Sequence, residues 1–533
     1  MTDRDLFAQS AIEQIPKLLT LLDRNPHSPT YGCFDRNFWH YKIIDFPSGM
    51  AQEFVYPLAL AYDTNCPNNP FYQQSAIRDW VEAGIFYAIR SSHKNASCDD
   101  YFPFEQAAGA TAFSLLACVE SYRLLNLSDY NILQFFEKRA DWLAHHQESG
   151  RLSNHHALII LCLEKISQLL NTSKWDRVKV LRLERLLEWQ CDEGWFPEYE
   201  GSDPGYLSLT INCLALICQL KTDIRLKEAI IKAVEFARYF VHPDGSYGGE
   251  YGSRNTYNFF PHGFELVGKW YPEALAINDG FLQGLANGLS PCYADDHIIG
   301  HHTWNYLLTW RDFVEHRPQY SPLTFDRVYF PKAQILIEKR GKTTLYSALN
   351  KGGVFKLFRQ QKLIISDTQL SVLLQQGKQT KNAVGHLIDP KNTHIEINAN
   401  EIKIKGQLGW AKQTQMTTLK LILLRVVMLT VGRFFPNLIR KILQAILITG
   451  KQKTGFYFQR SFHWENEELI VRDELISPSW KPIKQIGIGA DQTSIYVVMS
   501  RTFQLNQLQF WLDLTDKIKQ LSDGDSLQLE RRY

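Results

Sequence analysis

The sequence predicts an α+β, multidomain chain: an N-terminal (α/α) toroid followed by an antiparallel β-sandwich that carries a basic helical insertion. Three observations predict it. Apolar residues recur at three and four through residues 1–320, the spacing of a buried helix face. From about residue 330 the pattern changes to short β-prone runs separated by turns. All nine cysteines lie before residue 293, so composition breaks at the same place. The expected parts are a helical domain over 1–325 and a β domain over 326–533, with the insertion at 413–450.

Helical stretches are expected at 73–90, 105–125, 129–147, 155–171, 206–220 and 225–240. Ala157, Leu158, Ile160, Leu161, Leu163 and Ile166 illustrate the spacing. The loops between these stretches are rich in Gly, Pro, Asn, Asp and aromatic residues, notably 31–41, 45–51, 99–105, 192–206 and 243–263. Many helices joined by such loops predict a toroid whose loops gather at one end. No fixed repeat length appears.

Strands are expected at Gln334–Lys339, Val354–Phe358, Lys362–Ser366, Ser371–Gln375, His394–Asn398, Glu401–Lys405, Phe456–Trp464, Glu468–Leu475, Ser494–Ser500, Leu508–Leu512 and Ser526–Arg531. Alternation of apolar and polar residues along several of them implies packed antiparallel sheets. Residues 394–406 read as a hairpin. The segment 413–450 reads instead as helix, broken at Gly432 and Pro436. From Ile402 to Trp464 there are eleven Lys or Arg and no Asp or Glu. The favoured reading is a helical insertion packed on the sandwich with solvated basic residues. The competing one is peripheral membrane contact through 413–460 by a basic amphipathic helix.

The totals exclude several classes. A length of 533 residues allows two or three domains and a large core. A net charge of +2 gives no global field for nucleic acid. Nine cysteines without a CxxC read as buried thiols in a reducing compartment. The first twenty residues lack the pattern of a signal peptide, and no run of 18 apolar residues appears. The expected location is cytoplasmic, or peripheral to the inner face of the membrane.

Four segments carry candidate chemistry. Ser153-Asn154-His155-His156 opens a helix, where Ser153 or Asn154 can cap and the helix field suits an anion. Residues 192–206, DEGWFPEYEGSDPGY, place Trp195, Phe196, Glu198, Tyr199 and Tyr206 in one Gly/Pro-rich stretch. Trp195 and Phe196 are candidates to stack on a sugar, with Trp195 in the core as the alternative. Residues 243–256 hold eight glycines, serines or tyrosines ahead of Arg254, a candidate bidentate clamp for a carboxylate. The alternative pairs Arg254 with Glu250 or another acid of the chain. His262 follows and is expected at the same end. Asp99-Asp100 and Asp295-Asp296-His297 read as caps, without the further acids of a metal cluster. No nucleotide loop, HExxH or GxSxG occurs.

Together these segments resemble the heparinase II/III-like polysaccharide lyases and their alginate-lyase relatives, in architecture over most of the chain and in motif over about 99–262. Asn154-His155-His156 resembles the family's Asn/His helix start, and residues 192–210 resemble the loop and helix that supply its tyrosine. The resemblance implies that Asn154 or His155 neutralises a uronate carboxylate and that Tyr206 acts as acid and also as base. It implies no cofactor and an acidic polysaccharide as partner. The residue types themselves, with Arg254 read from its charge and not from a family motif, make Trp195, Glu198, Tyr199, Arg254 and His262 the expected substrate-binding residues; no metal ligand is assigned. One departure stands out. The segment LIISDTQLSVLLQQG lacks the histidines that the family's β domain contributes, and His386 and His394 do not form that motif. Two other functions fit the same residues: a non-catalytic carbohydrate-binding protein accessory to exopolysaccharide synthesis, and a toroid glycoside hydrolase using Glu198, Asp203 or Glu250. A terpene-cyclase-like toroid, suggested by DGSYGG alone, needs an acid cluster in the cleft.

Overall fold

The computed structural model describes every residue except 1–2, 148–149, 200, 222, 290–297, 378, 389–392, 412–414, 445–452, 490–502 and 505–507. Cys292, Asp295-Asp296-His297 and the expected strand at Ser494–Ser500 therefore lie outside the described residues.

Six helices form an inner ring: Val55–Asp63, Ala108–Leu124, Ser153–Leu170, Pro204–Leu220, His262–Gly268 and Ile298–Asp312. Each packs on the next, and the last returns to the first, which closes the toroid. Outside them run Ser75–Ser91, Tyr130–His145, Asp176–Glu188, Ile224–Ala237 and Glu273–Ala286, while Asp5–Ile12 packs on Ile298–Asp312. The two rings differ as their surroundings require. Ala108–Leu124 is buried without a break from Ala108 to Val119, because neighbours cover all its faces. Ile224–Ala237 buries Leu226, Ala229, Ile230, Ala233, Val234 and Ala237, one stripe at helical spacing. Among the described residues all eight cysteines are free.

The expected helices form close to their anticipated bounds. One cap differs. The Ser153–Leu170 helix has no cap from its own side chains. Ser153 Oγ instead donates to the Pro197 carbonyl, and the backbone N–H of Asn154 donates to the Glu198 carboxylate. A carboxylate forty-four residues downstream thus does the capping.

The β part has two sheets. Five strands form an antiparallel meander: Arg327–Phe330, Ile335–Arg340, Thr343–Ala348, Val354–Arg359 and Lys362–Asp367. A nine-stranded sheet runs Leu512–Asp513, Ile483–Ile488, Leu370–Gln376, Gln379–Val384, Glu401–Ala411, Lys453–Glu465, Glu468–Ile476, Ser526–Arg532, with His394–Ile397 paired to Glu401–Ala411. The expected hairpin at 394–406 is present in register His394 to Lys405. The expected strand at Leu508–Leu512 shrinks to Leu512–Asp513.

The meander is a middle layer, and its period-two alternation shows why. Leu336, Leu345, Phe355 and Leu357 face the nine-stranded sheet. Ile335, Ile337, Tyr346, Ala348 and Phe358 join the helical core. Two apolar faces explain why Thr343–Ala348 is buried at every position. Inside the sandwich Arg460 and Arg531 pair with Asp367 and Asp473, so four buried charges neutralise one another.

The insertion forms two helices, Thr418–Thr430 and Pro436–Gln444. It does not leave its basic residues simply solvated. Arg425 pairs with Asp45 at 2.9 Å and Arg440 with Glu105 at 3.2 Å, both acids of the toroid. Helical insertion and meander therefore grip the toroid at the same end, where the inner helices begin.

Candidate functional site

Asp203 builds the site from below. It caps the Pro204–Leu220 helix by accepting the Tyr206 N–H at 3.0 Å. Thr256 Oγ1 donates to that same oxygen, Oδ1, while the other oxygen, Oδ2, accepts the backbone N–H of Arg254 at 3.0 Å. One carboxylate thereby ties Tyr206 to the loop carrying Arg254. Gly205 permits the approach: a Cβ there would stand 2.1 Å from Thr256 Oγ1.

The β part holds this loop from the other side. Lys351 donates to the carbonyls of Glu250 and Gly252 and to Asn255 Oδ1. Burial pushes its ammonium down to about 7, while three acceptors match the three N–H groups of the protonated form. Lys356 pairs with Glu250 at 3.0 Å, and Tyr257 donates to the same carboxylate.

Four residues then meet. Glu198 accepts from Asn154 Nδ2 at 2.7 Å and faces Arg254 Nη1 at 3.3 Å. The Arg254 guanidinium stands 3.9 Å from the centre of the Tyr206 ring and 5.1 Å from that of Tyr199. Tyr199 and Asn255 both hold left-handed backbone, at φ 60° and 56°; Tyr199 faces Arg254, while Asn255 turns to Lys351. Asn154, Glu198, Tyr206 and Arg254 are buried; His155 and Tyr199 are half-buried. Among the described residues, Asn154 Oδ1, Tyr206 Oη and Arg254 Nε are buried with no hydrogen-bond partner, an uncommon state for polar atoms so close together.

Burial shifts the titrations. It pushes the Tyr206 hydroxyl up to about 12, and the nearby Arg254 charge opposes that rise. Burial also raises Glu198, against Arg254 and the Asn154 donors.

The remaining expected residues divide. His155 stands at the edge of the cluster, its ring edge-on to Phe113 at 6.4 Å. Phe113 stacks on His301 at 4.0 Å, and Glu53 accepts from His301 Nδ1 and Trp304 Nε1, both at 2.6 Å. Glu53 and His301 carry no sequence signal; they were brought beside His155 by ring closure. His156 points elsewhere, edge-on to Trp189. Trp195 is a junction residue: its Nε1 donates to Glu193, which also accepts the Lys332 and Ala333 N–H groups. His262 does not join the cluster. The short helix it opens begins part-way down the ring, with Gly263 against Asn212, and His262 pairs with Asp312 at 2.8 Å. Asp99 accepts from the Phe104 and Gln106 N–H groups and pairs with His93. His386 contacts the Thr368 carbonyl, and exposed His394 pairs with Glu396, both within the β part.

The closed toroid is followed by the sandwich, and this cluster lies at their junction. The sequence matches no family model and no curated protein. Among solved structures the chain is similar to chondroitin AC lyase of Streptomyces coelicolor A3 in complex with chondroitin sulphate. The TM-score is 0.53 at 7% identity, over 92% of this chain and 68% of that one. A mutant of the same enzyme gives 0.50 at 7% identity, over the same shares. Heparan sulfate lyase from Pedobacter heparinus gives 0.39 at 10% identity, over 90% of this chain and 70% of that one. At such identities the likeness is one of fold.

Proposed function

We propose that this chain is a polysaccharide-lyase-like protein that processes an acidic, uronate-containing polysaccharide by β-elimination. The observation that carries this reading is the Tyr206 hydroxyl, buried without a partner, with Arg254 against its ring and Asn154 sharing Glu198 with that arginine. In the reaction the C–H bond α to the uronate carboxylate breaks and its electron pair is held as the enolate. That pair then forms the carbon–carbon double bond as the bond to the leaving sugar oxygen breaks, and that oxygen takes a proton. Tyr206 is protonated at neutral pH and supplies that proton. Arg254 stabilises the tyrosinate left behind. Asn154 neutralises the carboxylate, and removal of the α proton falls to His155, because a Tyr206 that carries its proton cannot take another. Tyr199 lines the half-buried side of the cluster, as a sugar-contacting ring.

The hydrolase alternative lacks an available acid pair. Asp203 accepts from Tyr206, Arg254 and Thr256, and Glu250 is held by Lys356 and Tyr257. A non-catalytic, accessory carbohydrate-binding role has one observation in its favour: Glu198 already occupies Asn154 and Arg254, so a substrate carboxylate must compete with it.

Ultraviolet absorbance of the conjugated unsaturated uronate, measured over a panel of acidic polysaccharides beside Tyr206→Phe, tests the proposal. A rise that the variant abolishes supports the lyase. Calorimetric binding without any rise turns the assignment to the accessory role.

A further inference from the structure

The insertion is amphipathic the wrong way round for a globular protein. Its arginines Arg425 and Arg440 turn inward to Asp45 and Glu105, and its leucines and phenylalanines turn outward. In Thr418–Thr430 the buried residue is Met428, packed against Gly432 at the turn. Leu419 is 76% exposed, Leu423 61%, Phe434 65% and Phe435 58%; Leu438 and Ile442, one turn apart on the second helix, are exposed too. An apolar face of this extent is uncommon on a soluble monomer unless it binds something.

We propose that this helical hairpin docks flat on an anionic lipid bilayer. Charge selects that occupant. Residues 402–464 contain eleven Lys or Arg and no acid, although the whole chain carries only +2. Lys420, Arg433 and Lys441 remain at the surface of the hairpin, beside its apolar residues. Basic side chains flanking leucine and phenylalanine match lipid phosphates above acyl chains. A second copy of the chain would bring the same positive face against itself, which is repulsive. Thr418–Thr430 has 13 residues, on the order of 20 Å at 1.5 Å per residue, too short for a hydrocarbon core of about 30 Å. Among the described residues no helix is long and apolar enough to cross a membrane, so the hairpin lies in the interface.

Docking has an orientation. Arg440 holds Glu105, whose carboxylate accepts the Asp100 and Tyr101 backbone N–H groups. Tyr101 lies close enough to Tyr206 and Arg254 for their charges to act on it, so the docked hairpin sits at the end of the toroid that holds the Tyr206 cluster. This inference stands on the insertion alone, independent of the reaction proposed above.

Co-sedimentation of the full chain with vesicles tests it. Binding is expected to phosphatidylglycerol-containing vesicles, to weaken as salt rises, and to be absent with pure phosphatidylcholine. Leu423→Glu with Phe434→Glu, at exposed positions, is expected to lower the bound fraction about tenfold or more with an unchanged melting curve. Failure to bind phosphatidylglycerol vesicles overturns the proposal. So does a dimer, seen by analytical ultracentrifugation, that the same double variant dissociates.

Discussion

Arg254 touches Glu198 with one edge of its guanidinium, at 3.3 Å, and covers the ring of Tyr206 with its face, at 3.9 Å. A planar cation can do both at once; an ammonium cannot. Arg254→Ala leaves Glu198 buried without its counter-charge. The expected loss is about 3–5 kcal/mol of folding stability, read from denaturant midpoints at constant m. Arg254→Lys should restore part of that stability but not the ring contact, so activity in the elimination assay stays lost.

Gly205 offers a finer probe of the same geometry. In Gly205→Ala the new methyl meets Thr256 Oγ1 at 2.1 Å and the Asn258 carbonyl at 3.0 Å. The loop bearing Arg254 must retreat, at a cost of about 1–3 kcal/mol. A variant as stable as the parent would mean that this loop is not pinned to the helix start.

Glu105 makes stability depend on pH. Burial raises its carboxyl to about 7, partly opposed by Arg440. Between the unfolded value near 4.5 and 7, the folded chain holds a proton that the unfolded chain releases. This contribution is therefore complete below the unfolded value and is lost as pH rises through 7, by on the order of 2–3 kcal/mol. Melts from pH 4.5 to 8 should show the decline, and Glu105→Gln should remove that part of it.

Trp195 separates junction from cleft. Its indole N–H is bonded to Glu193 at 2.8 Å. Trp195→Phe is expected to cost about 1 kcal/mol through that bond and to leave glycan affinity unchanged. A fall in affinity measured by calorimetry, without a fall in stability, would return Trp195 to the binding surface.

The helices were legible because a buried face repeats at three and four, as in Leu226, Ala229, Ile230 and Ala233. Several strands were missed. Thr343–Ala348, buried on both faces, lacks the alternation that marks a one-sided strand. At the site, loop composition pointed to Glu198, Tyr206 and Arg254, and the helix start pointed to Asn154. His262 misled because its position in the loop order says nothing of depth. Its helix starts below the others, where Asp312 takes the ring.

Local sequence thus determined the order of helices and strands, the polar loops, and the acid-free basic insertion, because these follow from side-chain period and charge along the chain. Only the tertiary structure decided that the ring closes, that Glu198 caps a helix forty-four residues before it, and that Glu53 and His301 pack against Phe113, the ring beside His155. It also decided which way the insertion faces. These depend on contacts between residues far apart in sequence, which no local pattern encodes.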